Sequence, residues 1–295
     1  MHEFLSAIGF GKLTSRKDIR KLLKDIEANF NQYSRIELDH EHDFCEIRKE
    51  YGDSIGISVF GEIEETSGDE IFEREYYIPY FKGKGITSSV DLLVEKRADR
   101  NAFVGICEDA KLEVTLIFYL QNALDYMEAQ KQRDKARSAI SVTLSGLAGS
   151  GTILFPVQKS PEQERNKKEQ SRNRMMLLSA AREGDSAAME SLTLEDIDTY
   201  SKVSRRLISE DVFSIVESYF MPYGVECDQY SIMGEILDVR EIKNNFTKNK
   251  IYALNLDVNE LQFEVCIPAD DLVGEPAVGR RFKANIWLQG CINFE

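Results

Sequence analysis

The stretch Met221–Glu235, MPYGVECDQYSIMGE, sets one cysteine between two acids in a turn-like segment flanked by tyrosines. A thiolate nucleophile needs a base or a positive neighbour to lower its pKa, and Glu226 and Asp228 act in the opposite direction. All three histidines, His2, His40 and His42, lie near the start of the chain. A Cys/His dyad would require the distal part to fold back onto it. Cys227 therefore reads as a packed small residue at a joint, where Pro222 and Gly224 end a helix and the tyrosines pack two units together. The acids Glu226, Asp228 and Glu235 leave a second chemistry open, because hydrolysis of the glycosidase type needs two carboxyls held about 5–10 Å apart in a pocket.

Two other clusters have the residue types for chemistry and lack its full pattern. His40, His42 and Cys45 in LDHEHDFCE have HxH spacing, but a structural zinc site needs four ligands and no second pair is visible. The segment reads as an acidic loop leading into a strand, with no metal expected. Gly146–Thr152, GLAGSGT, has the glycines of a phosphate-binding loop without the lysine or the following helix. It reads as a hairpin turn between two strands, so no nucleotide or other cofactor is expected.

Aromatics and basic residues give a softer signal. Tyr76, Tyr77, Tyr80, Phe81, Tyr219, Phe220, Tyr223 and Trp287 could line a groove, although aromatics at such spacing usually form core. Arg280, Arg281 and Lys283 lie near Trp287 in sequence, and single-strand binding by a small barrel would need that tryptophan exposed beside them.

The elements that must position these residues follow a clear order. Ser15 and Asp18 form a capping pair for a helix whose Ile19, Leu22, Leu23, Ile26 and Phe30 share one face. From Phe44 to Tyr119 the chain becomes short strand-like runs broken by Gly, Asp, Asn and Ser. Beyond Pro161 a polar, basic stretch leads to a glycine stop at Gly184. Two helices follow, with Thr193 and Ser209 as expected caps. From Ser231 the pattern is again strands, enough for a small barrel. The expected fold is α+β: residues 1–160 as a helix with an antiparallel sheet, 161–228 as a charged linker and helical segment, and 229–295 as a small antiparallel β-barrel-like domain, OB-like in kind.

The 295 residues suit about two domains, and 42% hydrophobic with 30% charged residues is ordinary globular composition. Five widely spaced cysteines without a CxxC pair indicate neither a disulfide framework nor a zinc knuckle. The start carries no secretory pattern, and no apolar run approaches the roughly 18 residues of a spanning helix. A cytoplasmic location with no membrane contact is expected. The net charge of −14 opposes a general nucleic-acid surface. That charge is segregated, since residues 128–183 hold 11 Lys/Arg against 6 Asp/Glu while the rest of the chain is acidic.

The phrases MHEFLSAIGF, LIFYLQNALDY, SLTLEDIDTYSKVSRRL with YFMPYGVECDQYSIMGEI, and VGRRFKANIWLQG span nearly the whole chain. Together they resemble a family of cytoplasmic proteins from clostridia-type Gram-positive bacteria, catalogued as a domain of unknown function. The resemblance implies a compartment and no mechanism. The residues themselves point to a non-catalytic binding or regulatory module for a protein partner, with Lys131, Arg133, Lys135, Lys167, Lys168, Arg172, Arg174, Tyr223, Tyr230 and Trp287 as contact candidates. A carboxylate-based hydrolytic site at the junction and single-strand nucleic-acid binding are the competing classes.

Overall fold

The computed structural model describes residues 3–13, 15–38, 42–66, 69–89, 92–98, 100–109, 114–131, 139–157, 161–206, 208 and 211–294. A short 3-10 helix, Glu3–Ile8, precedes α1, Arg16–Ala28. The Ser15 hydroxyl accepts from the Asp18 amide at 3.1 Å and donates to the Asp18 carboxylate at 2.6 Å, which caps α1 as its sequence signals. Ile19, Leu22, Leu23 and Ile26 are buried along one face. Phe30 falls beyond the last turn and is exposed.

The next four strands, β1 (Gln32–Glu37), β2 (His42–Gly52), β3 (Ile55–Thr66) and β4 (Asp69–Phe81), form an antiparallel meander. A second, ten-stranded sheet takes β5 (Leu92–Lys96), β6 (Phe103–Asp109), β7 (Val114–Leu120) and β8 (Ala139–Leu154) from the first half. It takes β9 (Tyr219–Pro222), β10 (Gln229–Lys243), β11 (Lys250–Val258), β12 (Leu261–Pro268), β13 (Leu272–Val273) and β14 (Arg281–Phe294) from the second. Within it, β8 pairs with β12 on one side and β14 on the other, so pairing through β12, β11, β10 and β14 returns to its start. The chain is thus a mixed helix-and-sheet protein. Strands from the expected unit 1–160 hydrogen-bond directly to strands from 229–295, and the β8–β12 and β7–β14 pairings are parallel where antiparallel ones are expected.

One correction concerns GLAGSGT. It is no turn, because β8 runs unbroken through it. A Cβ on Gly151 would sit 2.5 Å from the Phe282 ring and 2.9 Å from Ile267, and one on Gly146 would sit 3.0 Å from Val265. Here the glycines let neighbouring strands approach closely.

Buried amides join the two sheets. Gln121 donates to Phe81 O at 2.8 Å and to Gln289 Oε1 at 2.7 Å, while Gln289 donates to Pro79 O at 2.9 Å. The end of β4 is thereby tied to β7 and β14, with every bond in a dry setting where an unmet partner is costly.

The helices differ from their expected limits. Between α2, Ala123–Lys131, and the later strands stand α3 (Pro161–Arg182), α4 (Ser186–Arg206) and α5 (Val212–Ile215). Gly184, at φ +93°, ends α3, and Asp185 caps α4 by accepting from the Ala187 and Ala188 amides at 2.9 and 3.2 Å. Thr193, expected as that cap, lies inside α4 and donates to Met189 O at 2.8 Å. Asp211 caps α5, and Ser209 lies outside the described residues. Among the described residues no helix is long and apolar enough to cross a membrane.

Candidate functional site

Pro222 closes β9 and Gln229 opens β10, so MPYGVECDQYSIMGE runs through the turn of the β9–β10 hairpin into β10 and no helix ends there. Gly224 sits in that turn at φ +73°, a conformation that favours glycine. Cys227 is exposed rather than packed. Its neighbour Asp228 is buried, accepts from the indole N–H of Trp287 at 2.9 Å, and passes its own carbonyl to the Leu288 amide at 2.9 Å.

Around this pair lies a cavity of about 340 Å³ where both sheets, the 3-10 helix and two connections meet. The 3-10 helix contributes Glu3 and Phe4, β4 contributes Tyr76 and Ile78, and the β5–β6 connection contributes Arg97, Arg100 and Ala102. Tyr119 comes from β7, Trp287 from β14, and Glu226, Asp228 and Gln229 from the hairpin turn and the strand after it. Trp287 is packed by Phe4 at a ring separation of 5.9 Å and by Tyr119 at 5.3 Å.

The cavity's charges alternate. The Arg97 guanidinium lies 3.8 Å from Glu226 and 3.9 Å from Asp228, and Arg100 sits 5.5 Å over the Tyr76 ring. Burial pushes the Asp228 carboxyl above its ordinary value, against the pull of Trp287 and Arg97. Burial likewise raises the Tyr119 phenol. That hydroxyl, on a residue 4% exposed, has no hydrogen-bond partner among the described residues. The adjoining Tyr76 phenol donates to Asn101 O at 2.9 Å. Glu235, the third acid of the expected trio, pairs with Arg281 and Asp257 along β10 and does not line the cavity.

The contact candidates scatter. Lys131 donates to Glu37 O, and Arg133 and Lys135 lie outside the described residues. Lys167 and Lys168 belong to α3, where Arg172 is exposed and Arg174 pairs with Asp196 of α4 at 2.9 Å. Tyr223 is exposed in the hairpin turn. Tyr230 is buried, donating to Ile117 O at 3.1 Å and accepting from Ile117 N at 2.8 Å, which makes it a core fastener. Trp287, at 6% exposure, does not supply the exposed ring that base stacking needs, and Arg281 at the start of the same strand is buried too. Among the described residues of the ten, Trp287 alone lines the cavity. Sequence reasoning missed Phe4, Arg97, Arg100 and Tyr119, which sit on three separate elements and carry no local motif.

Of the HxH cluster, His40 lies outside the described residues, His42 begins β2, and buried Cys45 meets the Tyr33 hydroxyl at 3.4 Å.

A second region differs in kind. On α4, Leu194, Ile197 and Tyr200 follow one another at helical spacing and are 60, 59 and 76% exposed. Met175 and Met176 of α3 and Met189 of α4 are exposed as well. The sequence of α3 carries six Lys/Arg against three Glu.

The chain is thus a mixed helix-and-sheet protein with a polar cavity where its two sheets meet and an exposed apolar stripe on α4. The chain belongs to the family described as Domain of unknown function, E. rectale Gene description (DUF3881), whose model matches residues 5–290. That bacterium is of the clostridial type, in keeping with the resemblance carried by the sequence phrases. No curated protein and no solved structure matches the chain.

Proposed function

We propose that this chain is a non-catalytic cytoplasmic binding module whose α3–α4 hairpin docks a protein partner. The observation that carries the reading is the exposed stripe Leu194–Ile197–Tyr200 beside a helix of net positive sequence. Exposed apolar stripes with charged flanks are how helical surfaces recognise other helices. The partner is a protein presenting an apolar helix face with acidic flanks, which the excess basic residues of α3 attract. The ring of pairings through β8, β12, β11, β10 and β14 acts as a barrel-like support that holds the hairpin's two ends. Free thiols at Cys45, Cys227, Cys266 and Cys291 suit a reducing cytoplasm.

The test is affinity capture from the native bacterial lysate under nuclease, using the wild type and a Leu194→Ser, Ile197→Ser, Tyr200→Ser variant. A stoichiometric protein recovered by the first and lost by the second, with both melting alike, is the expected result. Equal recovery by both, or none by either, overturns the reading.

A further inference from the structure

We propose that the protein covering the α4 stripe is a second copy of this chain, bound antiparallel through α4 about a two-fold axis near Ile197. The inference rests on the docking reading of α4 and names its partner.

The stripe is set apart from its own hairpin. At 3.6 residues per turn, Leu194, Ile197 and Tyr200 share one side with Glu190, and Arg205 borders that side toward the end of the helix. Ala188, Leu192 and Val203 fall on the opposite side, where α4 packs on α3, and they are buried or half-buried. The apolar face therefore points away from α3.

Charge decides the occupant. Asp196 and Asp198 flank the stripe, and each is answered within the chain, by Arg174 of α3 at 2.9 Å and by Lys202 at 2.6 Å. A second copy thus brings no unanswered charge to the middle of the seam. Glu190 and Arg205 differ, being exposed and without an ion pair among the described residues. At 1.5 Å of rise per residue they stand about 10 and 12 Å from Ile197, on either side of it along the axis.

That near-equal spacing is what a two-fold axis requires. Turned antiparallel about Ile197, a second α4 brings its Arg205 to Glu190 and its Glu190 to Arg205, while Ile197 meets Ile197. A parallel copy would set like charges against each other at both ends. An unrelated partner must supply one base and one acid at this same separation, with apolar side chains between them. A second copy has them by construction.

The test is sedimentation velocity on the full chain, from about 1 to about 500 µM, in about 0.15 M salt, where the net charge of −14 per chain is screened beyond about 8 Å. One helix face per partner is at the small end of specific interfaces, so a monomer–dimer equilibrium with a Kd of about 1–100 µM is expected. Glu190, Ile197 and Arg205 are all exposed, so changes there should leave the melting temperature of the monomer unaltered. Ile197→Ser should weaken the dimer at least about tenfold, because the loss is felt on both sides of the axis. Glu190→Arg alone and Arg205→Glu alone should each do the same by setting like charges together twice. Mixed in equal amounts, those two variants face opposite charges at both contacts, and dimers should return to within about threefold of the wild-type affinity.

Monomeric behaviour up to about 500 µM overturns this inference alone. The docking reading then stands if lysate capture recovers a different protein through the stripe, and falls if it recovers none. A dimer indifferent to Ile197→Ser and to both reversals overturns the inference too, since its interface lies elsewhere. So does a mixture of the two reversals that stays as weak as either one by itself.

Discussion

The two-sheet body and the α3–α4 hairpin use the same apolar residue types to opposite ends. In β10 to β12, Ile232, Ile236, Leu254, Leu256 and Val265 are wholly buried between neighbours from both halves of the chain. On α4, Leu194, Ile197 and Tyr200 keep most of their surface in water. Helical periodicity is therefore a statement about which residues share a face, and it carries no information about whether anything covers that face. The body explains itself by burial. The hairpin does not, and that difference is why it is the docking candidate.

Truncation at matched sites is the most direct attack on this comparison. Leu254→Ala, at a residue with no exposure, should cost about 2–5 kcal/mol in denaturant unfolding. Gly151→Val comes next, because its Cβ would sit 2.5 Å from Phe282, and about 1–3 kcal/mol of overpacking is expected by the same measurement. An unchanged midpoint there would remove β8 from its place between β12 and β14.

A pH titration sharpens the picture of the body. Burial pushes the Tyr230 phenol from 10.0 up to about 12, so the folded chain keeps a proton that the unfolded chain has released. The stabilisation is complete below pH 10 and is lost as pH rises toward 12, on the order of 2 kcal/mol in all. Tyr230→Phe should flatten that slope in urea unfolding followed across this range, at about 1–3 kcal/mol of cost from unpairing Ile117. Much of the slope persists, because burial also raises Tyr33, Tyr51, Tyr76, Tyr80, Tyr119, Cys266 and Cys291.

The smallest effect belongs to the hairpin. Ile197→Ala should change stability by less than about 0.5 kcal/mol, although it deletes as many apolar atoms as the change at Leu254. A loss above about 2 kcal/mol at Ile197 would mean that α4 is covered after all, and the comparison would fail.

Much of the local structure was legible in the residues. The Ser15–Asp18 cap, the glycine stop at Gly184 and the buried face of α1 each depend on side chains within one helical turn. The errors have physical causes of the opposite kind. GLAGSGT looks like a turn because glycine is permissive, whereas here its missing side chain makes room for Phe282 and Ile267 from far along the chain. Pro222 looks like the end of a helix, yet it pairs with Tyr230 at the end of a strand, where proline loses only one donor. The cavity was half visible, in Asp228 and Trp287, and their partners Arg97 and Tyr119 had no signature at all.

By itself, the sequence determined the mixture of helix and strand, the cap of α1, the segregation of charge and the family to which the chain belongs. These properties depend on neighbours a few positions apart, or on composition. Only the tertiary structure decided that β7 and β8 pair with β14, that Asp228 meets Trp287 and Arg97, and that the stripe on α4 stays uncovered. Each of those depends on contacts between residues tens to hundreds of positions apart. Their loop-closure cost is met only by the cooperative burial of the whole core.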